Sequence, residues 1–317
     1  MKIQHVTDLH EDGEPVDSIF VVVVSETRTF TSKPGQFLRL RLRDGTGEIE
    51  AKLWEPCRAS GVDLVPGTPV HVRGRVSRWK TDFEIIVDGL ERVDPRTIDP
   101  TDFLPVSPVS SSDLWAGFER YRGLIDDRDL IRLMDSFMAD HEIRHAFGRA
   151  PAARGWHHAY LGGLLEHSVG VARLAVAAAE TLPQVDRSML VAGALLHDLG
   201  KIDDYRYDTI IEHRDSGRLL GHIVSGYRRI VDLAGRIDGF PGETLERLGH
   251  IIVSHHGKKE WGSPQRPKTL EAQIVHYADN MDAQVQGFVG VLHEARRQGL
   301  DWSPYHKLLE TEVLARD

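Results

Sequence analysis

"VDPRTIDPTDFLPVSPVSSS", Val93 to Ser112, divides this 317-residue chain into two parts with different periodicities. Its four prolines and serine run exclude a regular helix or a central strand, because proline lacks an N–H and fixes φ. Upstream, from Ile19 to about Val93, short alternating runs ("IFVVVVSETRTF", "QFLRLRLRD", "EIEAKLWE", "PVHVRGRV", "FEIIVDGL") are separated by turn chemistry such as "RDGTGE" and "VPGTP". Five short strands in so few residues predict a small closed or nearly closed barrel. Downstream of Asp113 the apolar residues recur three and four apart, as in "GGLLEHSVGVARLAVAAAE", "RSMLVAGALLHDLGK" and "ETLERLGHIIVSHH", which predicts a nearly all-helical domain. The expected organisation is a β domain over 1–95, a linker over 96–112 and a helical domain over 113–317. Two domains also suit the length, since single cores stop growing near about 250–300 residues.

The single cysteine, Cys57, excludes an internal disulfide and a cysteine-rich zinc module, and it suits a reducing compartment. The N-terminal "MKIQHVTDLHEDGEP" lacks a basic-then-apolar leader, and no apolar run approaches the roughly 18 residues a membrane helix needs. A cytoplasmic protein with no membrane partner is expected. A formal charge of −9 argues against indiscriminate coating of nucleic acid, which requires clustered Lys and Arg. Of 17 histidines, only His5, His10 and His71 precede residue 141, so any histidine chemistry belongs to the helical part.

Within that part "LLHDLGK", Leu195 to Lys201, places a histidine and an aspartate at the end of an otherwise apolar helix. Burying both is costly unless they are hydrogen-bonded, paired or metal-bound. Candidate partners lie on or at the ends of other apolar helices: His167, His222, the His255–His256 pair and Asp279. Imidazole and carboxylate suit mid-row divalent ions, and a helical bundle projects such ligands inward. With His197 and Asp198 these seven groups exceed one metal's needs. If Asp198 bridges, His167, His197 and Asp279 complete one site and His222, His255 and His256 a second, an arrangement suited to phosphoester hydrolysis. A lone histidine on an apolar helix face, such as His145, His250 or His293, is an ordinary surface or hydrogen-bonded residue and receives no role.

His167, His197–Asp198 and Asp279 resemble the H…HD…D signature of the HD-domain metal-dependent phosphohydrolases, and His222, His255 and His256 resemble the two-metal members of that superfamily. The stretches "APAARGWHHAYLGGLLEHS" (Ala150 to Ser168), "GRLLGHI" (Gly217 to Ile223), "SHHGKKEWGSPQRPKTLEA" (Ser254 to Ala272) and "HYADNMDA" (His276 to Ala283) are similar to bacterial 3′→5′ exoribonucleases of the YhaM type. The absence of "GYP" after "HHG" tells against the cyclic di-GMP phosphodiesterases. The resemblance covers nearly the whole chain, strongest from about residue 145 to 290, and implies an N-terminal OB-fold ahead of a helical HD domain. It implies two divalent ions, with Mn or Co favoured and Fe, Ni, Zn or Mg admitted. It also implies catalytic roles for Asp198 and Lys201. By spacing alone Lys201 is equally well a lysine at a helix C-terminus beyond a left-handed Gly200. Contact with substrate or with a ligand residue is assigned at a lower level to Arg154, His158 and Lys258, against the ordinary reading of capping and surface charge.

On the barrel, Leu38, Leu40 and Leu42 alternate with Phe37, Arg39, Arg41 and Arg43, while Lys52 and Trp54 share the outer side of the next strand. Aromatics among cations on these strands are how OB-folds hold single strands. Between Lys33 and Lys80 ten Lys and Arg face five Asp and Glu, a net +5 in an acidic chain. The bland alternative is a solvated face. The expected partner is single-stranded RNA, with single-stranded DNA a further candidate, and homo-oligomerisation is left open. The expected activity is metal-dependent 3′→5′ exoribonucleolysis. Two alternatives stand beside it: an HD-domain nucleotide or cyclic-nucleotide phosphohydrolase, and a nucleic-acid-binding protein with an inactive HD site.

Overall fold

The computed structural model describes residues 2–30, 34–54, 64–79 and 82–316. Cys57 and the charged residues Lys33, Glu55, Arg58, Asp63 and Lys80, invoked above, lie outside them. The chain forms two units, Met1–Pro105 with Arg206–Ile211, and Val106–Tyr205 with Glu212–Asp317.

In the first unit, strands β1 (Pro15–Thr29), β2 (Gln36–Asp44), β3 (Gly47–Leu53), β4 (Pro69–Trp79) and β5 (Asp82–Arg92) close into a barrel of order β1-β2-β3-β5-β4. Only the β3–β5 pairing is parallel. The period-2 pattern explains the inside: Leu38, Leu40 and Leu42 of β2 and Ile49, Ala51 and Leu53 of β3 are buried with Phe20, Val70, Val72 and Ile85. Glycine is required at the β4 bulge, where a Cβ on Gly74 would sit 2.2 Å from the Ile86 carbonyl oxygen. Prolines after β5 start two 3-10 turns, Pro95–Thr97 and Pro100–Asp102, which Asp94 and Asp99 cap. Phe103 and Leu104 follow, buried within the same unit.

The second unit begins with α1 (Ser111–Arg122), α2 (Arg128–Ala139) and α3 (His141–Arg149), capped by Ser110, Asp127 and Asp140. Their apolar faces meet through Phe118, Phe137 and Phe147, whose ring centroids lie 5.4 to 6.1 Å apart. Helices α4 (Gly163–Ala179), α5 (Arg187–Leu196) and α9 (Leu270–Arg297) pack together as the centre, and every residue of α5 from Ser188 onward is buried. After the short α6 (Lys201–Asp204) the chain forms a hairpin of β6 (Tyr205–Tyr207) and β7 (Ile211–His213), whose residues Arg206–Ile211 belong to the first unit, then α7 (Asp215–Gly235) and α8 (Gly242–Ser254). The region after α5 is therefore not purely helical, and residues beyond α9 form a loop-rich segment held by the bridges Trp302–Leu314 and His306–Thr311. Among the described residues no helix is long and apolar enough to cross a membrane.

Candidate metal centre and nucleic-acid face

Five elements bring the seven predicted ligands together. His167 lies on α4, His197 and Asp198 directly after α5, His222 on α7, His255 and His256 directly after α8, and Asp279 on α9. The ligand atoms of His167, His197 and Asp279 lie within 4.8 Å of one another, and so do those of His222, His255 and His256. Asp198 stands between the groups. Its Oδ2 is 3.4 Å from His167 Nε2 and 3.3 Å from His197 Nε2, whereas its Oδ1 is 3.5 Å from Nε2 of both His222 and His255.

The glycine of "HDLGK" behaves differently from the expected left-handed cap. Gly200 has φ −67°, a right-handed conformation, and Lys201 opens α6 instead of closing α5. Glycine is needed for close approach: a Cβ would lie 1.9 Å from the His222 carbonyl oxygen and 2.4 Å from the Gly226 nitrogen. That contact brings α7, and with it His222, against the aspartate.

Hydrogen bonds set the ring tautomers. Nδ1 of His197 donates to the Ala194 carbonyl (2.8 Å), Nδ1 of His255 to Ile252 (2.7 Å) and Nδ1 of His256 to Trp261 (2.7 Å). His167 directs Nδ1 to Asp282 Oδ2 at 2.8 Å. In the neutral ring each Nε2 is therefore a lone pair turned inward, the orienting arrangement metal-binding histidines use. The Nε2 atoms converge, His167 with His197 at 3.2 Å and His222 with His256 at 3.3 Å. Asp198 Oδ1 and His255 Nε2 are buried without a hydrogen bond. Imidazole nitrogens and carboxylate oxygens crowded together, two of them buried without a partner, fit divalent cations.

The two clusters differ in their electrostatics. Burial opposes charge on His167, yet Asp198, Asp279 and Asp282 outweigh it and hold its pKa well above 6.5. Burial likewise opposes the Asp198 carboxylate, and Lys201 and His197 override it, so Asp198 stays ionised. In the other cluster burial lowers His222 and His255, and it takes His256, beside His255, down to about 4. These imidazoles are neutral ligands at neutral pH.

Lys201 is buried with Nζ 2.5 Å from Asp198 Oδ2. It lines a cleft of about 260 Å³ with His157, His256, Trp261, Asp279 and Asn280. His158 accompanies the centre from behind: Nε2 is 2.9 Å from Asp282 Oδ2, and Nδ1 is 2.8 Å from the Tyr160 hydroxyl, which donates to Glu166. Lys258 lies over the Trp261 ring at 4.2 Å, and Arg154 is exposed two residues before Trp156. Asp282 escaped the sequence reading although it follows Asp279 by three, a helical spacing that puts both on one face. His157 also escaped it; burial lowers its pKa to about 2.

Residues 164–284 match the HD domain family and residues 19–93 the OB-fold nucleic acid binding domain family. The chain is 34% identical over 278 residues to 3′-5′ exoribonuclease YhaM of Bacillus subtilis, covering 87% of each. It is 33% identical over 277 residues to YhaM of a Geobacillus species, covering 87% of this chain and 84% of that one. It is 32% identical over 277 residues to YhaM of Shouchella clausii, covering 87% and 86%. The chain belongs to the YhaM family.

The OB-fold of this YhaM-family chain carries the five residues named for its outer face. Phe30, Phe37 and Trp54 pack with ring centroids 5.1 to 5.6 Å apart, and Trp54 is 40% exposed. The cations are matched by carboxylates: Arg39 makes a bidentate pair with Glu50 (2.9 and 2.7 Å), Arg41 meets Glu48 at 3.2 Å and Lys52 meets Glu84 at 2.6 Å. The face is thus less positive than its basic residues alone indicate. Trp79, unremarked in the sequence, is 59% exposed, and Lys52 Nζ lies between two tryptophans, 4.9 Å from the Trp79 ring and 6.0 Å from the Trp54 ring.

Proposed function

We propose that this protein is a metal-dependent 3′→5′ exoribonuclease that takes single-stranded RNA on its OB-fold and hydrolyses it to nucleoside monophosphates in its HD domain. One observation carries the reading: in a YhaM-family chain, Asp198 turns one oxygen to each of two histidine clusters beside the cleft lined by Lys201.

His167, His197 and Asp279 would hold one ion, His222, His255 and His256 the other, and Asp198 would bridge. Bound divalent ions supply charge neutralisation at the phosphoryl oxygens and a water acidified for attack on phosphorus. The chain's own residues do the rest. Lys201, kept cationic by Asp198 despite burial, donates to a non-bridging oxygen of the scissile phosphate. Asp282 and the carbonyls of Ala194, Ile252 and Trp261 hold the imidazoles in orientation. Trp54 and Trp79 offer ring faces on which unpaired bases stack without sequence preference. Mn or Co is the ion that the family resemblance favours, and the nitrogen and oxygen donor set admits it. Short single-stranded DNA is a second polymer substrate, and the lone cysteine supports action in the reducing cytoplasm.

The test uses chelator-stripped protein resupplied separately with Mn, Co, Mg or Zn and given 5′-labelled RNA with an unpaired 3′ end. A ladder shortening one nucleotide at a time, dependent on added metal, is expected. Intact RNA with cleavage of free nucleotides or cyclic dinucleotides in the same buffers would instead identify a small-molecule phosphohydrolase.

A further inference from the structure

The second unit contains a cavity of about 640 Å³ next to the metal cleft, within the ~300–1,000 Å³ range of small-ligand sites. His157 lines both spaces. Its ring centroid is 5.1 Å from that of His167, and its Nδ1 is buried without a hydrogen bond. On the far side Trp156 stacks on His306, with centroids 4.7 Å apart and planes inclined by 23°. Tyr305, which is exposed, and Gln286 of α9 complete the wall.

Two glycines of α9 shape this space for different reasons. Gly287 lies under Trp156, where a Cβ would come 2.1 Å from the indole. Gly290, on the same face of the helix, also lines the cavity, but a Cβ there meets no atom within 4 Å. A glycine inside a helix costs about 1 kcal/mol relative to alanine. At Gly287 packing of the indole accounts for that cost. At Gly290 no packing requires it, and what the missing side chain preserves is open volume.

We propose that this cavity is the subsite for the base of the nucleotide being released, with Trp156, Tyr305 and His306 as its aromatic walls and Gln286 as the hydrogen-bonding group at the base edge. The inference rests on the exoribonuclease reading above and adds a binding site to it. A cavity lined by aromatic rings with a polar edge suits a nucleobase, which is flat, apolar on its faces and polar on its rim. With the scissile phosphate in the cleft beside Lys201 and Asp279, the ribose carries the attached base past His157 into the larger space. Recognition by ring faces also explains how one site accepts every base that successive cycles present.

The experiment compares two 5′-labelled RNAs of one sequence, one ending in an ordinary nucleotide and the other in an abasic ribose, in single-turnover assays with the metal-loaded protein. Wild type should remove the ordinary terminus faster by about tenfold or more. Gly290→Leu, which fills the cavity and replaces glycine with a better helix former, should bring the two rates together. Trp156→Ala, with its helical circular dichroism checked, should narrow the preference in the same direction. Equal rates on both termini with wild type, or an undiminished preference in Gly290→Leu, would overturn the subsite while leaving exonuclease activity standing. Hydrolysis of bis(p-nitrophenyl) phosphate with neither RNA shortened would overturn the exoribonuclease reading, and the subsite with it.

Discussion

Asp198 Oδ1 lies 3.5 Å from His255 Nε2, and both atoms are buried without a hydrogen bond. His255 gives its only proton to the Ile252 carbonyl, so two lone-pair acceptors confront one another away from water. An uncompensated polar group in such a place costs about 1–3 kcal/mol, more if charged, and a bound cation removes the cost. Asp198→Ala should therefore abolish metal loading and RNA hydrolysis together. Elemental analysis after gel filtration, run beside the denaturing-gel assay, checks it; full activity in this variant rules out the bridging role. Addition of Mn to stripped wild type should raise its melting temperature, because a ligand bound only by the folded state stabilises it, and Asp198→Ala should lose that response.

Gly200→Ala should disturb the centre without replacing a candidate ligand. Its methyl group would enter the space of the His222 carbonyl, and overpacking of this kind costs about 1–3 kcal/mol. Weaker metal binding with a lowered melting temperature is expected, measured by competitive chelator titration and calorimetry. Wild-type values in both would mean that α7 and its histidine need no such approach.

Asp282→Asn removes the charge that fixes the rings of His167 and His158 while keeping the shape. Loss of such an orienting partner typically weakens metal affinity about 10- to 100-fold. Raising the metal concentration should restore much of the hydrolysis rate, a rescue not expected for Asp198→Ala.

Trp54→Ala and Trp79→Ala should each weaken binding of a single-stranded oligonucleotide by roughly 1–3 kcal/mol if bases stack on both rings. Fluorescence anisotropy with metal-free protein measures this apart from cleavage. An unchanged affinity for Trp54→Ala would assign that ring to packing against Phe30 and Phe37 alone.

Breaking an ion pair on the same face tests the balance of charge. Glu50→Gln removes the bidentate partner of Arg39, leaving Glu26 at 3.5 Å, and should tighten RNA binding at low salt, with a steeper salt dependence. A flat response in the salt titration would place Arg39 outside the strand's path.

The amino-acid sequence by itself determined the two-part architecture and the kinds of atoms at the centre. Alternation in Leu38, Leu40 and Leu42 and helical spacing in α4, α5 and α9 are local properties, written in residue order and decided by which face can be buried. The seven candidate ligands were legible for a related reason: polar residues inside apolar helices stand out because burying them needs compensation. The division of those residues about Asp198 was an expectation of the sequence; tertiary structure decided that Asp198 presents a different oxygen to each cluster. It alone recruited Asp282, gave Gly200 its role as a point of contact instead of a cap, matched Arg39, Arg41 and Lys52 with carboxylates, and placed Trp156 over Gly287. Each of these depends on distances between segments far apart in the chain. Periodicity carries no information about such distances, which are settled only when helices and strands pack against one another.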